Sequence, residues 1–128
     1  MKLLLDTHTF IWWDSDPSRL SPSALQACQN HANTMMLSVV SVWEMQIKAQ
    51  LGKLKLNMPL AEIIGNQQQV NGVQILSMTL NHVLALEDLP VHHKDPFDRL
   101  LIAQANVEEA VLVSSDSAFS EYSVQLLR

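Results

Sequence analysis

Apolar residues come in two rhythms along this chain. Short runs at Lys2–Asp6, Thr34–Ser38, Val73–Ser77 and Ala110–Ser114 read as strands, and Ser123–Leu127 is a candidate fifth. Between them the spacing turns helical. Ser21-Pro22 opens a helix, with Ser as N-cap and Pro at the first helical position. Ser41-Val42-Trp43-Glu44 has capping-box spacing, and Gly52 closes that helix. Pro59 starts another, which runs to the turn signal Asn71-Gly72. Thr79 caps a short helix through about Leu86, and Asp95-Pro96-Phe97-Asp98 opens a strongly apolar one. Strands that alternate with helices and carry continuous apolar runs predict an α/β fold. Its parallel sheet is covered by helices on both faces. In such sheets, sites form beyond the carboxyl ends of the strands, where strand order reverses.

At 128 residues, with 48% hydrophobic and 16% charged residues, the chain reads as one globular domain over residues 1–128. It has no internal repeat and no linker-like stretch. No apolar run approaches the roughly 18 residues of a membrane span. The opening Met1–Asp6 loses its apolar character after three leucines, unlike a signal peptide. The net charge of −5 argues against binding nucleic acid through a broad basic face. It leaves room for an enzyme that meets phosphates through bound metal. One cysteine, Cys28, cannot form an internal disulfide, so a cytoplasmic location is expected. Its helical spacing from Leu25 marks it as a small core residue rather than a nucleophile.

The carboxylates are placed unevenly. Asp6 ends the first strand, and Asp116 follows the fourth by two residues. Glu44 lies in the first turn expected after the second strand, and Asp98 in the first turn of the helix before the fourth. Converging carboxylates repel one another, and a divalent cation offsets that repulsion. Hard oxygen ligands suit Mg²⁺ or Mn²⁺, which activate water and stabilise charge on a phosphoryl oxygen. Each acid also has a local structural reading. Asp6 can cap a helix, Glu44 can complete the Ser41 capping box, Asp98 can favour the helix dipole, and Asp116 can sit in a turn. Asp95, directly before Pro96, reads as an N-cap and not as a ligand.

Four segments together resemble PIN (PilT N-terminal) domains, and in particular the VapC-like ribonuclease toxins of bacterial toxin–antitoxin systems. They are Leu4-Leu5-Asp6-Thr7-His8; Ser41-Val42-Trp43-Glu44 with Lys48 and Leu51-Gly52-Lys53-Leu54; the long run from His92 through Asp95-Pro96-Phe97-Asp98-Arg99 to Ala105; and Leu112-Val113-Ser114-Ser115-Asp116-Ser117-Ala118-Phe119. The third is the most specific. The resemblance covers nearly the whole chain. It implies a three-layer fold with about five parallel strands flanked by helices, and Mg²⁺- or Mn²⁺-dependent cleavage of RNA phosphodiesters. The family's acids carry over onto Asp6, Glu44, Asp98 and Asp116, with Asp6, Asp98 and Asp116 on the metal and Glu44 as ligand or water-orienting base. The family often has Thr before its last acid. Here Ser115 keeps a hydroxyl at that position. A cognate antitoxin and a homodimer are further implications.

Other features suggest contacts rather than chemistry. Lys48, Lys53, Lys55, Lys94 and Arg99 are candidates for a phosphate-contacting rim, with Ser115, Lys48 and Arg99 the nearest candidates for substrate. Trp43 is expected to pack in the core. Of the adjacent Trp12 and Trp13, at most one points fully inward, and the other would mark a partner surface. His92-His93 has the wrong spacing for two zinc ligands and no cysteine partner nearby. A haloacid-dehalogenase-type phosphatase would want a second Asp where His8 stands. No GxSxG elbow or phosphate-cradling glycine loop is present. Two alternatives remain: an interaction module of this fold without catalysis, and a small-molecule phosphatase using the same acids.

Overall fold

The computed structural model describes residues 1–91 and 95–128. Its strands are β1 (Lys2–Leu5), β2 (Thr34–Ser38), β3 (Gln74–Leu76), β4 (Val111–Val113) and β5 (Leu126–Leu127). Its α-helices are α1 (Thr7–Ser15), α2 (Pro22–Gln29), α3 (Val39–Gln50), α4 (Leu60–Asn71), α5 (Leu80–Leu84) and α6 (Pro96–Glu108). The five strands form one sheet in the order β3-β2-β1-β4-β5. All neighbouring pairs are parallel, with Leu3 opposite Met35 on one side and Val111 on the other. The strand order therefore reverses between β1 and β4, which is where the sequence pattern places a site in this kind of sheet.

The pleat explains the leucine run. Leu3 and Leu5 pack with Met35, Leu37 and Val113 against Phe10, Cys28, Met45 and Ile63, from helices on one face. Leu4 points the other way, with Met36 and Leu112, onto Leu101, Ile102 and Ala105 of α6 and onto Phe119. Successive side chains alternate faces, so a strand covered on both sides must be apolar at every position. The result is three layers, as predicted.

Most of the helix starts follow the expected capping chemistry. Ser21 caps α2 ahead of Pro22, and Asp95 caps α6 ahead of Pro96. Thr79 and His82 form a reciprocal capping box at α5. Gly72 takes the left-handed conformation that ends α4 (φ 66°). Helix α3 departs from the prediction. Its N-cap is Ser38, whose side chain accepts from Val40 N, so the helix begins before Ser41. Ser41 lies inside the helix, and its buried Oγ has no partner among the described residues. Glu44 therefore completes no capping box. Trp43 is also corrected. It is 56% exposed, and it meets Phe97 edge-on with ring centroids 5.2 Å apart.

Cys28 is buried in the first core layer, and burial pushes its thiol up to about 11. A thiol some two units above its ordinary value has about a hundredfold less thiolate, the reactive form. Labelling by a chromogenic disulfide reagent should be slow in the native protein and fast in denaturant. Rapid native labelling would place Cys28 outside the core. Among the described residues, no helix is long and apolar enough to cross a membrane.

Candidate active site

The acids meet at the switch point because four chain segments bring them there. Asp6 follows β1, and Asp116 lies just past the end of β4. Glu44 is on α3, which leaves the end of β2 directly. Helix α6 runs into the start of β4, so its own N-terminus lies towards the opposite, carboxyl edge of the sheet. That geometry carries Asp95 and Asp98 to the same place. One cleft of about 100 Å³ is lined by Asp6, Thr7, His8, Glu44, Lys48, Asp95, Asp98 and Asp116. All four acids predicted from sequence are among them.

Each acid is tied to its backbone or neighbours. Asp6 is buried and caps α1, with Oδ1 accepting from Thr9 N at 2.8 Å and Oδ2 accepting from the Ser114 hydroxyl. Ser114 Oγ in turn accepts from Asp116 N at 3.0 Å. Asp6 N and Thr9 Oγ1 both donate to Val113 O. This network clamps the ends of the two central strands and fixes Asp6 relative to Asp116. Asp116 Oδ1 accepts from Ala118 N, and Asp95 Oδ1 accepts from Phe97 N and Asp98 N. Glu44 is buried. Its Oε1 accepts from Thr7 Oγ1 at 2.6 Å, and its Oε2 pairs with Lys48 Nζ at 2.7 Å. The starts of α1 and α6 add positive helix-dipole ends beside the carboxylates, which offsets part of their repulsion.

Among the described residues, five carboxylates thus line the cleft with one ammonium. An all-oxygen acidic set suits a hard divalent cation such as Mg²⁺ or Mn²⁺. Among the described residues, no three His, Cys, Asp or Glu side chains already stand close enough to chelate an ion. Cation binding would have to draw the acids inward, in competition with the bonds that now hold them.

The remaining candidates divide. Lys48 lines the cleft. Ser115 does not: it is exposed and borders a crevice with Thr9, Trp12 and Arg19, while its neighbour Ser114 makes the contact to Asp6. Arg99 also turns away, with Nη1 donating to Pro90 O at 2.8 Å and lying 3.4 Å from the Tyr122 hydroxyl. Lys55 lines a separate cavity beside Phe10 and Leu60. His92, His93 and Lys94 lie outside the described residues. Neither Trp12 nor Trp13 is fully buried: Arg19 stacks over Trp12 at 5.0 Å, and Trp13 Nε1 donates to Gln67. Sequence reasoning missed Thr7, His8, Asp95 and Ser114 as parts of the site. Only the adjacency of Thr7 and His8 to Asp6, and of Ser114 to a strand end, could have signalled them.

Comparison with known proteins identifies the family and the fold. The profile of the PIN domain matches residues 3–125. This chain belongs to the PIN-domain family. Ribonuclease VapC22 of Mycobacterium tuberculosis is 31% identical to this PIN domain over 115 residues, covering 89% of this chain and 86% of that protein. Among solved structures, VapBC2 from Rickettsia felis, bound to a DNA fragment from its promoter, superposes with a TM-score of 0.73 at 17% identity, covering 99% and 98% of the two chains. A toxin–antitoxin complex from Klebsiella pneumoniae gives 0.62 at 15% identity, covering 98% and 96%. At such identities the structures speak for the fold, and this PIN domain shares it over nearly all of the chain.

Proposed function

We propose that this PIN domain is a ribonuclease, the toxin of a toxin–antitoxin pair, and that it cleaves RNA phosphodiesters at the acidic cleft with the help of a divalent cation. The observation that carries the reading is the convergence of Asp6, Glu44, Asp98 and Asp116 from four segments on one cleft at the switch point. The likeness to a protein named as a ribonuclease, over most of both chains, supports the reaction class. The likeness to a toxin–antitoxin complex supports an antitoxin partner. A homodimer belongs to the same proposal.

Asp6, Asp98 and Asp116, with Glu44 beside them, are the residues that would hold Mg²⁺ or Mn²⁺. When bound, the ion supplies an activated water and stabilises charge on the phosphoryl oxygen. The chain's own contribution is preorganisation. The Ser114 and Thr9 bonds hold Asp6 in one orientation, and Thr7 holds Glu44. Among the described residues Lys48 is the one ammonium lining the cleft, able to meet a substrate phosphate. A chain of net charge −5 should bind RNA weakly unless the cation is present.

Purified protein should cleave defined RNAs in Mg²⁺ or Mn²⁺ and stop in EDTA. Cleavage that persists in EDTA would remove the metal from the proposal. Inactivity on every RNA with both metals, alongside antitoxin binding, would favour an interaction module instead. Hydrolysis confined to small phosphate esters would favour a phosphatase.

A further inference from the structure

Lys48 occupies an unusual place. It sits one helical turn after Glu44 on α3, and its ammonium enters a cleft otherwise lined by carboxylates, a histidine and a threonine. Glu44 has both oxygens engaged, Oε1 by the Thr7 hydroxyl and Oε2 by Lys48. Of those two partners only Lys48 carries charge, and among the described residues it is the only ammonium lining the cleft with the five acids. A cation that recruits Glu44 must therefore share an oxygen with Thr7 or with Lys48, or displace one of them. The Lys48 bond is the one a second positive charge opposes, since two cations on one carboxylate repel.

We infer that Lys48 is a tethered counter-ion. It holds Glu44 in position while the cleft is free of metal, and it gives Glu44 up when a divalent cation enters. Lys48 is thereby a positioning residue whose charge sets the metal concentration at which the cleft fills. This inference rests on the metal-dependent reading above. The Lys48 side chain is 37% exposed, so the displaced ammonium can swing into water and need not be stranded.

The charge argument has an opposite sign from a merely structural one. If Lys48 only braces Glu44, removing it misplaces a ligand and weakens metal binding. If Lys48 competes with the metal, removing it tightens metal binding while making the metal-free protein less stable. The test is titration of the intact protein with MnCl₂, followed by calorimetry and by melting temperature. Lys48→Met and Lys48→Gln should bind Mn²⁺ about five-fold more tightly than the parent, a modest gain because the pair is partly solvent-screened. Both should melt lower without metal and show a larger metal-induced rise. Lys48→Arg, which keeps the charge, should stay near the parent affinity. Lys2→Met removes the same charge from the opposite end of β1 and should change Mn²⁺ affinity less than two-fold, about the limit for a charge a Debye length away. Unchanged or weakened Mn²⁺ binding in both neutral variants, with the parent binding normally, overturns the role of Lys48 alone. Absence of Mn²⁺ binding in every protein, neutral variants included, overturns the metal-dependent reading and this inference with it. Binding in the neutral variants but not in the parent supports both.

Discussion

Asp6→Asn is expected to leave the protein folded and to abolish its RNA cleavage. The two roles of Asp6 are separable in the structure. As a cap it needs only an oxygen to accept from Thr9 N, and Asn supplies one nearly as well as Asp. The Ser114 hydroxyl has two lone pairs, so it can accept from the new amide as well as from Asp116 N. Stability should therefore fall by no more than about 1 kcal/mol. What Asn cannot supply is the negative charge at the centre of the cleft. Cation-assisted phosphoryl chemistry draws several kcal/mol from such charge, so the cleavage rate should fall about a hundredfold or more. In the parent, Mg²⁺ or Mn²⁺ at about a hundred times its dissociation constant should add about 2.7 kcal/mol of stability by linkage. The variant should lose most of that. Denaturant melts with and without metal, run beside an RNA cleavage assay, check both halves. Retained cleavage would show that Asp6 is a cap and nothing more.

Ser114→Ala should behave differently, losing stability and activity together. Ser114 is 2% exposed and links two acids that lie on different strand ends. Without its hydroxyl, Asp6 Oδ2 loses its donor and Asp116 N loses its acceptor. Leaving buried polar groups unpaired costs about 1–3 kcal/mol. The same loss frees Asp116 to move relative to Asp6, so metal affinity and cleavage should fall as well. Ser115→Ala removes an exposed hydroxyl one residue away and should stay within about 0.5 kcal/mol, with cleavage unchanged. Urea unfolding and cleavage measured on the pair decide the matter. A sensitive Ser115 beside a silent Ser114 would mean that the loop after β4 is set one residue differently in solution.

That pair of serines shows where sequence reasoning stops. The leucine run of β1 and the apolar run of β4 announce buried parallel strands, and an acid at the end of each announces a site. Which of two adjacent serines turns inward depends on the pleat and on the turn that follows, and neither has a composition signal. Helix α3 shows the same limit. Its buried residues are Val40, Ser41, Glu44 and Met45, so part of its inward face is polar because it borders the cleft. A reading that equates inward with apolar therefore assigns Trp43 to the core, and the structure places it outside. Arg99 fails for another reason. Its spacing from Asp98 is local, whereas its partners, Pro90 and Tyr122, come from loops whose approach the sequence does not encode visibly. Asp98 could be placed only weakly from spacing, and it joins the cleft because α6 runs back along the sheet towards β4.

The central position of β1 has a consequence for the order in which the protein becomes itself during synthesis. Leu3 pairs with Val111, and Asp6 is held through Val113 and Ser114, more than a hundred residues further along the chain. Asp6 is synthesised more than a hundred residues before the strand that aligns it. Its alignment waits for β4, which follows every other segment that lines the cleft except that of Asp116. Contacts this distant in sequence close late, because the intervening chain must first be collapsed and ordered. An unfinished chain therefore holds its acids apart. The site is thus a property of the closed sheet, absent from any segment that carries its acids one at a time.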